Sequence, residues 1–143
     1  MIRAVIYARY SSDHQRDASI NDQVEICRRA IEAQGWTLVR VYDDRAISGG
    51  SRFRPGYEAL IRDADANGFD VVVAESLDRL SRRLADIAAL HDQLTYLGVR
   101  LFTPTTGEIT PMHIGLIGTM SQMFVADLVQ KTRRGQLGRL RAG

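Results

Sequence analysis

The stretch that decides the fold is Phe69-Asp70-Val71-Val72-Val73-Ala74, which follows Gly68. A strand with one exposed face alternates apolar and polar residues, whereas a strand buried on both faces is almost continuously apolar. This stretch therefore predicts a central strand of a parallel sheet, covered by helices.

Helical and strand patterns alternate on both sides of this central strand. A helix capped by Ser19 and a helix starting at Pro55 precede the central strand, and a helix over about Arg83 to Leu97 follows it. The other predicted strands are Ile2 to Ala8, Trp36 to Tyr42 and Val99 to Phe102. This βαβαβαβ order predicts an α/β fold with a mostly parallel sheet of about four strands covered by helices.

Composition narrows the class of protein. The 143 residues, 45% of them hydrophobic, are enough for one well-buried core. The single cysteine, Cys27, excludes an internal disulfide, and no cysteine or histidine cluster has zinc-binding spacing. Without a leader or a membrane-length apolar run, the sequence predicts a soluble cytoplasmic protein with no membrane contact.

The basic residues are almost all arginine. Of the 19 basic residues, only Lys131 is a lysine. The planar guanidinium binds phosphate in a bidentate manner, so this excess fits a phosphate or nucleic-acid partner. A GC-rich genome would explain the same excess equally well.

The final third of the chain has a different pattern. We expect a catalytic core over residues 1–111 and one long helix over residues 112–143, about 45 Å in length. A core of this size cannot cover such a helix, so its apolar half should pack against another subunit. Its distal half suits a polyanion, although a solvated helix end is the alternative. The basic residues there are Lys131, Arg133, Arg134, Arg139 and Arg141.

Polar residues follow three of the predicted strands. Ligands bind beyond the carboxyl ends of strands in open parallel sheets, so these residues should meet. They are Arg9 and Ser11 after the first strand, Asp44 and Ser48 after the second, and Glu75, Asp78, Arg79 and Arg82 after the third. Glu75 is expected to pair with an arginine.

This set of residues suits phosphoryl transfer without a metal ion. Arg79 and Arg82 are three residues apart and would share one side of a helical turn. Their guanidinium groups would neutralise charge on the phosphoryl oxygens while a serine hydroxyl attacks. Ser12 is the alternative to Ser11 as nucleophile. A magnesium site built from Asp43, Asp44 and Asp78 is a second alternative, which the neighbouring cations disfavour.

Several short motifs in a fixed order carry a resemblance to a known family. They are Tyr7-Ala8-Arg9-Tyr10-Ser11, Gln15, Ser19-Ile20-Asn21-Asp22-Gln23, Asp44 with Ile47-Ser48-Gly49, Arg54-Pro55-Gly56, and Leu77-Asp78-Arg79-Leu80-Ser81-Arg82. This set resembles the serine recombinases, the resolvase and invertase group. It is most similar to the catalytic domain of a large serine recombinase, and the resemblance covers nearly the whole chain.

The resemblance implies site-specific DNA strand exchange and assigns the site residues. Ser11 would attack a DNA phosphodiester, giving a 5′-phosphoserine link and a free 3′-hydroxyl. The scissile phosphate would be held by Arg9, Arg79 and Arg82, with Arg54 nearby. Supporting or DNA-binding roles would fall to Gln23, Asp78, Asp44, Ser48, Tyr7, Gln15, Lys131, Arg133 and Arg134.

The resemblance also implies partners, cofactors and rival functions. The partner would be double-stranded DNA, bound by a homodimer that forms a tetramer during strand exchange, with no metal and no cofactor. Many family members carry an acidic residue and an arginine where this chain has Phe124-Val125, so we expect no contribution from that arginine. We also expect the chain to be a fragment of a longer protein. The alternatives are a catalytically silent DNA-binding or regulatory module and a small-molecule phosphotransferase.

Overall fold

A computed structural model describes residues 1–10, 17–45, 54–81 and 83–116. The chain divides into two units, Met1–Ile109 and Thr110–Gly143. In the second unit, residues 111–116 are helical, and Thr110 and His113 cap this helix reciprocally. The main-chain N–H of Thr110 donates to His113 Nδ1 at 3.1 Å, and that of His113 donates to Thr110 Oγ1 at 3.4 Å.

The first unit alternates strands and helices in the predicted order. The strands are β1 (Arg3–Arg9), β2 (Thr37–Asp44), β3 (Val71–Ala74), β4 (Arg100–Thr103) and β5 (Gly107–Glu108). The helices are α1 (Asp17–Gln34), α2 (Pro55–Asp65) and α3 (Leu84–Tyr96), with a short 3₁₀ turn at Leu77–Arg79 between β3 and α3.

The described strands form one five-stranded sheet in the order β2-β1-β3-β4-β5. The first four are mutually parallel, and every residue of the central strand β3 is buried, so the predicted mostly parallel sheet is confirmed. The estimate of about four strands was wrong because β5 pairs antiparallel with β4. With two residues, β5 is too short for any periodicity, and its sequence was interpreted as a turn-rich loop.

The helices bury the predicted apolar stripes. Ile20, Cys27 and Ile31 of α1 are each at most 1% exposed. The predicted cap at Ser19 was wrong, since α1 begins at Asp17 and Ser19 therefore lies inside the helix. Its hydroxyl instead accepts a hydrogen bond from Gln23 Nε2 at 3.2 Å. No helix in the described ranges is long and apolar enough to cross a bilayer.

Several predictions fall on residues outside the described ranges. These are the nucleophile candidates Ser11 and Ser12, the site residues Gln15, Ser48 and Arg82, the pair Phe124-Val125, the basic residues Lys131, Arg133 and Arg134, and most of the long C-terminal helix.

Candidate active site

The side chain of Arg9 fastens the 3₁₀ turn to the end of β1. Arg9 is the last residue of β1 and is only 4% exposed. Its Nε donates to the carbonyl of Arg79 at 3.0 Å, and its Nη2 donates to the carbonyl of Asp78 at 2.8 Å. The turn that follows β3 is therefore held against the carboxyl end of the neighbouring strand, as the strand-exit argument predicted.

Arg79, in the 3₁₀ turn, also donates a hydrogen bond to β1. Its Nη1 donates to the carbonyl of Arg9 at 3.2 Å, and its Nε lies 3.4 Å from Glu75 Oε2. Arg79 Nε and Glu75 Oε2 are both buried, and they form an ion pair rather than a hydrogen bond. The expected pairing of Glu75 with an arginine is confirmed. The two arginines are thus interlocked, because each guanidinium donates to the other residue's main-chain carbonyl.

Gln23 holds the main chain of Arg9 from the helical layer. Its Oε1 accepts the Arg9 N–H and its Nε2 donates to the Arg9 carbonyl, both at 3.1 Å. Gln23 is 1% exposed. A side-chain amide here takes the place of a neighbouring peptide, so it satisfies two buried main-chain groups at the strand end.

A second hydrogen-bonded group connects β1 with β2. The Tyr7 hydroxyl donates to Asp44 Oδ2 at 2.5 Å. Tyr7 is fully buried and Asp44 is 2% exposed. Burial and the bond to Asp44 raise the pKa of the Tyr7 phenol well above its usual value. The phenol therefore stays protonated and serves as a donor.

Asp44 also caps α2. Its Oδ1 accepts the N–H of Gly56 at 2.8 Å, and its Oδ2 accepts the N–H of Tyr57 at 3.0 Å. These are otherwise unsatisfied amides in the first turn of a helix, where a carboxylate is also favoured by the helix dipole. The close approach requires glycine, because a Cβ on Gly56 would lie 2.2 Å from the Asp43 carbonyl oxygen.

Arg54 connects the Tyr7–Asp44 pair with the segment that follows β3. Its Nη2 donates to the Tyr7 hydroxyl at 2.8 Å and to the carbonyl of Leu80 at 2.5 Å. Leu80 follows the 3₁₀ turn that carries Arg79, so the contact extends from β1 to the exit of β3. The guanidinium also lies over two aromatic rings, with its central carbon 5.4 Å from the Tyr7 centroid and 4.2 Å from the Tyr57 centroid.

The alternative magnesium site does not assemble among the described residues. Asp44 is committed to α2 and Tyr7, while Asp43 lies 3.3 Å from an Arg45 nitrogen. The Asp78 carboxylate is exposed and accepts the Ser76 hydroxyl. Within the described ranges, no three His, Cys, Asp or Glu side chains come together to hold a metal ion.

The structure brings together seven of the sequence-predicted site residues. Gln23, Arg9, Asp78 and Arg79 form the first group, and Tyr7, Asp44 and Arg54 form the second. Sequence reasoning missed Tyr57, which contacts Arg54 through its ring and Asp44 through its main chain. The available signal was an aromatic residue three positions after an arginine.

The fold and this cluster define the class of the molecule. It is a parallel α/β domain in which two interlocked arginines lie at the carboxyl ends of adjacent strands. A family model described as "Resolvase, N terminal domain" matches residues 4–143. The chain belongs to this family.

Individual relatives agree with this assignment. The chain is 29% identical over 134 residues to the DNA-invertase of Escherichia phage P1, covering 90% of this chain, and 32% identical over 112 residues to the transposon Tn21 resolvase of Escherichia coli, covering 73% of this chain. The solved N-terminal catalytic domain of TP901-1 integrase superposes with a TM-score of 0.71 at 26% identity, covering 90% of this chain and 98% of that one.

The relatives are longer than this chain. It spans 66% of the phage P1 invertase and 59% of the Tn21 resolvase. Of another relative, from Bacillus subtilis (strain 168), it spans 28%.

Proposed function

We propose that this chain is the catalytic domain of a serine site-specific DNA recombinase in which Ser11 attacks a DNA phosphodiester. The observation that carries the proposal is the interlocked pair Arg9 and Arg79 at the carboxyl ends of β1 and β3. Ser11 follows Arg9 by two positions in the sequence. Consecutive Cα atoms are about 3.8 Å apart, so a residue two positions after Arg9 is within reach of the arginine pair along the chain, which supports Ser11 as the nucleophile.

The proposed reaction is a transesterification. The Ser11 hydroxyl gives up its proton as its oxygen bonds to phosphorus, the bond from phosphorus to the 3′ oxygen breaks, and the leaving oxygen takes up a proton. The products are a 5′-phosphoserine link and a free 3′-hydroxyl. Attack of a 3′-hydroxyl from an exchanged strand on that link restores the phosphodiester and frees the serine. The step needs neither a metal nor an added energy source, because the phosphoserine ester retains the energy of the bond that was broken.

The buried members of the cluster act by positioning. Gln23 fixes the Arg9 main chain, and Asp44 and Tyr7 are too buried to reach DNA directly. The exposed Asp78 bears the carbonyl that Arg9 binds. We assign phosphate contact to Arg79 and Arg82, and a supporting role to Gln15 and Ser48.

We further propose that residues 112–143, which follow a catalytic core of residues 1–111 in the sequence, form a long helix for dimerisation and DNA contact. Lys131, Arg133 and Arg134 would bind the backbone of double-stranded DNA, so binding would weaken steeply with salt. The proposed assembly is a homodimer that becomes a tetramer during strand exchange. The proposed location is the cytoplasm, where the DNA substrate lies.

The test is a search for the covalent intermediate. The full-length protein is incubated with duplexes that tile the DNA on either side of its own gene, each labelled at a 3′ end so that the strand attached to the serine keeps the label. Wild-type protein should give a labelled adduct that survives detergent and is released by alkali, as expected for a phosphoserine ester. Peptide mapping should place the DNA on Ser11.

Two variants separate the alternatives. Ser11→Ala should abolish the adduct and Ser12→Ala should retain it. The reverse result would make Ser12 the nucleophile. A wild-type protein that binds these duplexes but gives no adduct would exclude the recombinase function and favour a silent DNA-binding module.

A further inference from the structure

The partly buried Arg54 guanidinium has no carboxylate as a direct partner among the described residues. Among the described residues, its Nη2 donates only to neutral oxygens, the Tyr7 hydroxyl and the Leu80 carbonyl. No carboxylate in the described ranges forms an ion pair with it, and its buried Nε has no hydrogen-bond partner there. The Asp44 carboxylate is linked to it only through the Tyr7 hydroxyl, so among the described residues no anion contacts the guanidinium directly.

Two aromatic rings, those of Tyr7 and Tyr57, lie beside the Arg54 guanidinium. The Tyr57 ring centroid is 4.2 Å from the guanidinium carbon, and the Tyr7 and Tyr57 rings meet edge to face with centroids 6.0 Å apart. A ring face attracts a cation through its quadrupole and fixes the guanidinium plane, but it leaves the net charge intact. A carboxylate would hold the group equally well and would cancel the charge that a phosphate needs.

We infer that Tyr57 is a positioning residue that orients the Arg54 guanidinium for the phosphate of the DNA. This inference rests on the proposed function. When DNA is bound, the Nη2 hydrogen bond to the Leu80 carbonyl is replaced by one to a phosphate oxygen, because a charge-assisted bond to phosphate is stronger than one to a neutral carbonyl. The Tyr57 ring keeps the guanidinium in plane during this exchange, since stacking does not depend on the hydrogen-bond partner.

The experiment compares Tyr57→Phe with Tyr57→Leu in the full-length protein. No hydrogen bond to the Tyr57 hydroxyl is found in the described part of the chain, so phenylalanine should keep the adduct rate within about twofold of wild type. Leucine removes the aromatic face and should slow adduct formation about tenfold, a loss within the range of a partly desolvated cation–π contact. DNA affinity in a band-shift assay should change less than threefold. Tyr96→Leu, at an exposed tyrosine, is the matched control.

A double-mutant cycle tests whether Tyr57 acts through Arg54. In an Arg54→Ala background, Tyr57→Leu should cause no further slowing. If it slows the reaction tenfold there as well, the ring acts on folding or on another group and the inference is wrong. Tyr57→Met replaces Tyr57→Leu if the leucine variant unfolds at a lower urea concentration than wild type.

A second measurement needs no activity. Aromatic rings beside Arg54 should shift the NMR resonance of its Nε–H group, identified by its loss in Arg54→Lys. The shift should persist in Tyr57→Phe and collapse in Tyr57→Leu, and an unchanged resonance in Tyr57→Leu would overturn the inference. Failure of the proposed function is separate, since it would show as a wild-type protein that makes no adduct.

Discussion

The amide side chain of Gln23 forms two hydrogen bonds, both 3.1 Å long, with the main chain of Arg9. Gln23 lies on α1 and Arg9 ends β1, so the bonds join the helical layer to the sheet at the residue that leads towards Ser11. Buried main-chain polar groups at a strand end need hydrogen-bond partners, and here Gln23 shares the Arg9 carbonyl with Arg79 Nη1. Gln23 thus forms the main-chain hydrogen bonds that a neighbouring strand would form with Arg9.

Gln23→Ala should destabilise the fold by about 2 kcal/mol, because it removes two buried hydrogen bonds to the Arg9 main chain, whose carbonyl keeps the bond from Arg79 Nη1. Urea unfolding followed by circular dichroism measures the change. Gln34→Ala, at the exposed end of the same helix, should cost less than about 0.5 kcal/mol. Equal effects of the two variants would show that the Gln23 bonds contribute nothing specific.

Asp44→Asn should cost about 2 kcal/mol, because the amide cannot accept from both the α2 main chain and the Tyr7 hydroxyl as the carboxylate does. The neighbouring Asp43→Asn is the matched control, since the Asp43 side chain is 39% exposed and, within the described ranges, pairs with Arg45. Its cost should stay below about 0.5 kcal/mol. A larger loss in Asp43→Asn than in Asp44→Asn would contradict the capping role.

Arg79→Ala should slow formation of the DNA adduct by about 100-fold or more if Arg79 stabilises charge on the phosphoryl group. The free energy of unfolding of the variant should also fall, by about 1 to 3 kcal/mol, because the buried Glu75 Oε2 loses the Arg79 Nε contact and the Arg9 carbonyl loses one hydrogen bond. Arg29→Ala removes an arginine whose side chain is 78% exposed on α1 and should leave the rate within about twofold. The measurement is single-turnover adduct formation with saturating protein, and a rate for Arg79→Ala within threefold of wild type would rule out this role.

Ionisation of Asp70 should make the free energy of unfolding depend on pH. Its carboxylate accepts hydrogen bonds from the Arg3 side chain and main chain, at 2.8 to 3.3 Å, and these lower its pKa in the folded state. Because the pKa of Asp70 is lower in the folded state than in the unfolded state, its ionisation stabilises the fold at pH values above the unfolded pKa of about 3.9. This stabilisation is lost as the pH falls through the folded-state pKa.

Asp70→Asn should therefore be less stable than wild type at pH 7 by up to about 1 kcal/mol, because the pair is at the surface. The difference should shrink as the pH is lowered below about 4. Urea unfolding midpoints at several pH values measure it, with Asp65→Asn, an exposed carboxyl at the end of α2, as the control. A difference that does not change with pH would remove ionisation of Asp70 as the cause.

The amino-acid sequence by itself determined the order of helices and strands and the strand ends at which the polar residues lie. Val71 to Ala74 could be predicted as a strand because a strand buried on both faces is continuously apolar. The buried stripe of Ile20, Cys27 and Ile31 could be predicted because apolar residues recur with the 3.6-residue period of a helix. These features depend on solvent exposure along one element, so local sequence contains them. The two-residue β5 has no such signal, because it exists only through its pairing with β4.

Only the tertiary structure decided which polar groups contact one another. The sequence grouped Asp44 with the site, but its partners at Gly56 and Tyr57 follow from the path of the chain between β2 and α2. In the same way, Tyr7 is an ordinary strand residue in the sequence until folding brings its hydroxyl against Arg54, 47 residues later in the chain. Hydrogen bonds and ring contacts depend on distances of a few ångströms between elements far apart in sequence, and no local pattern encodes those distances.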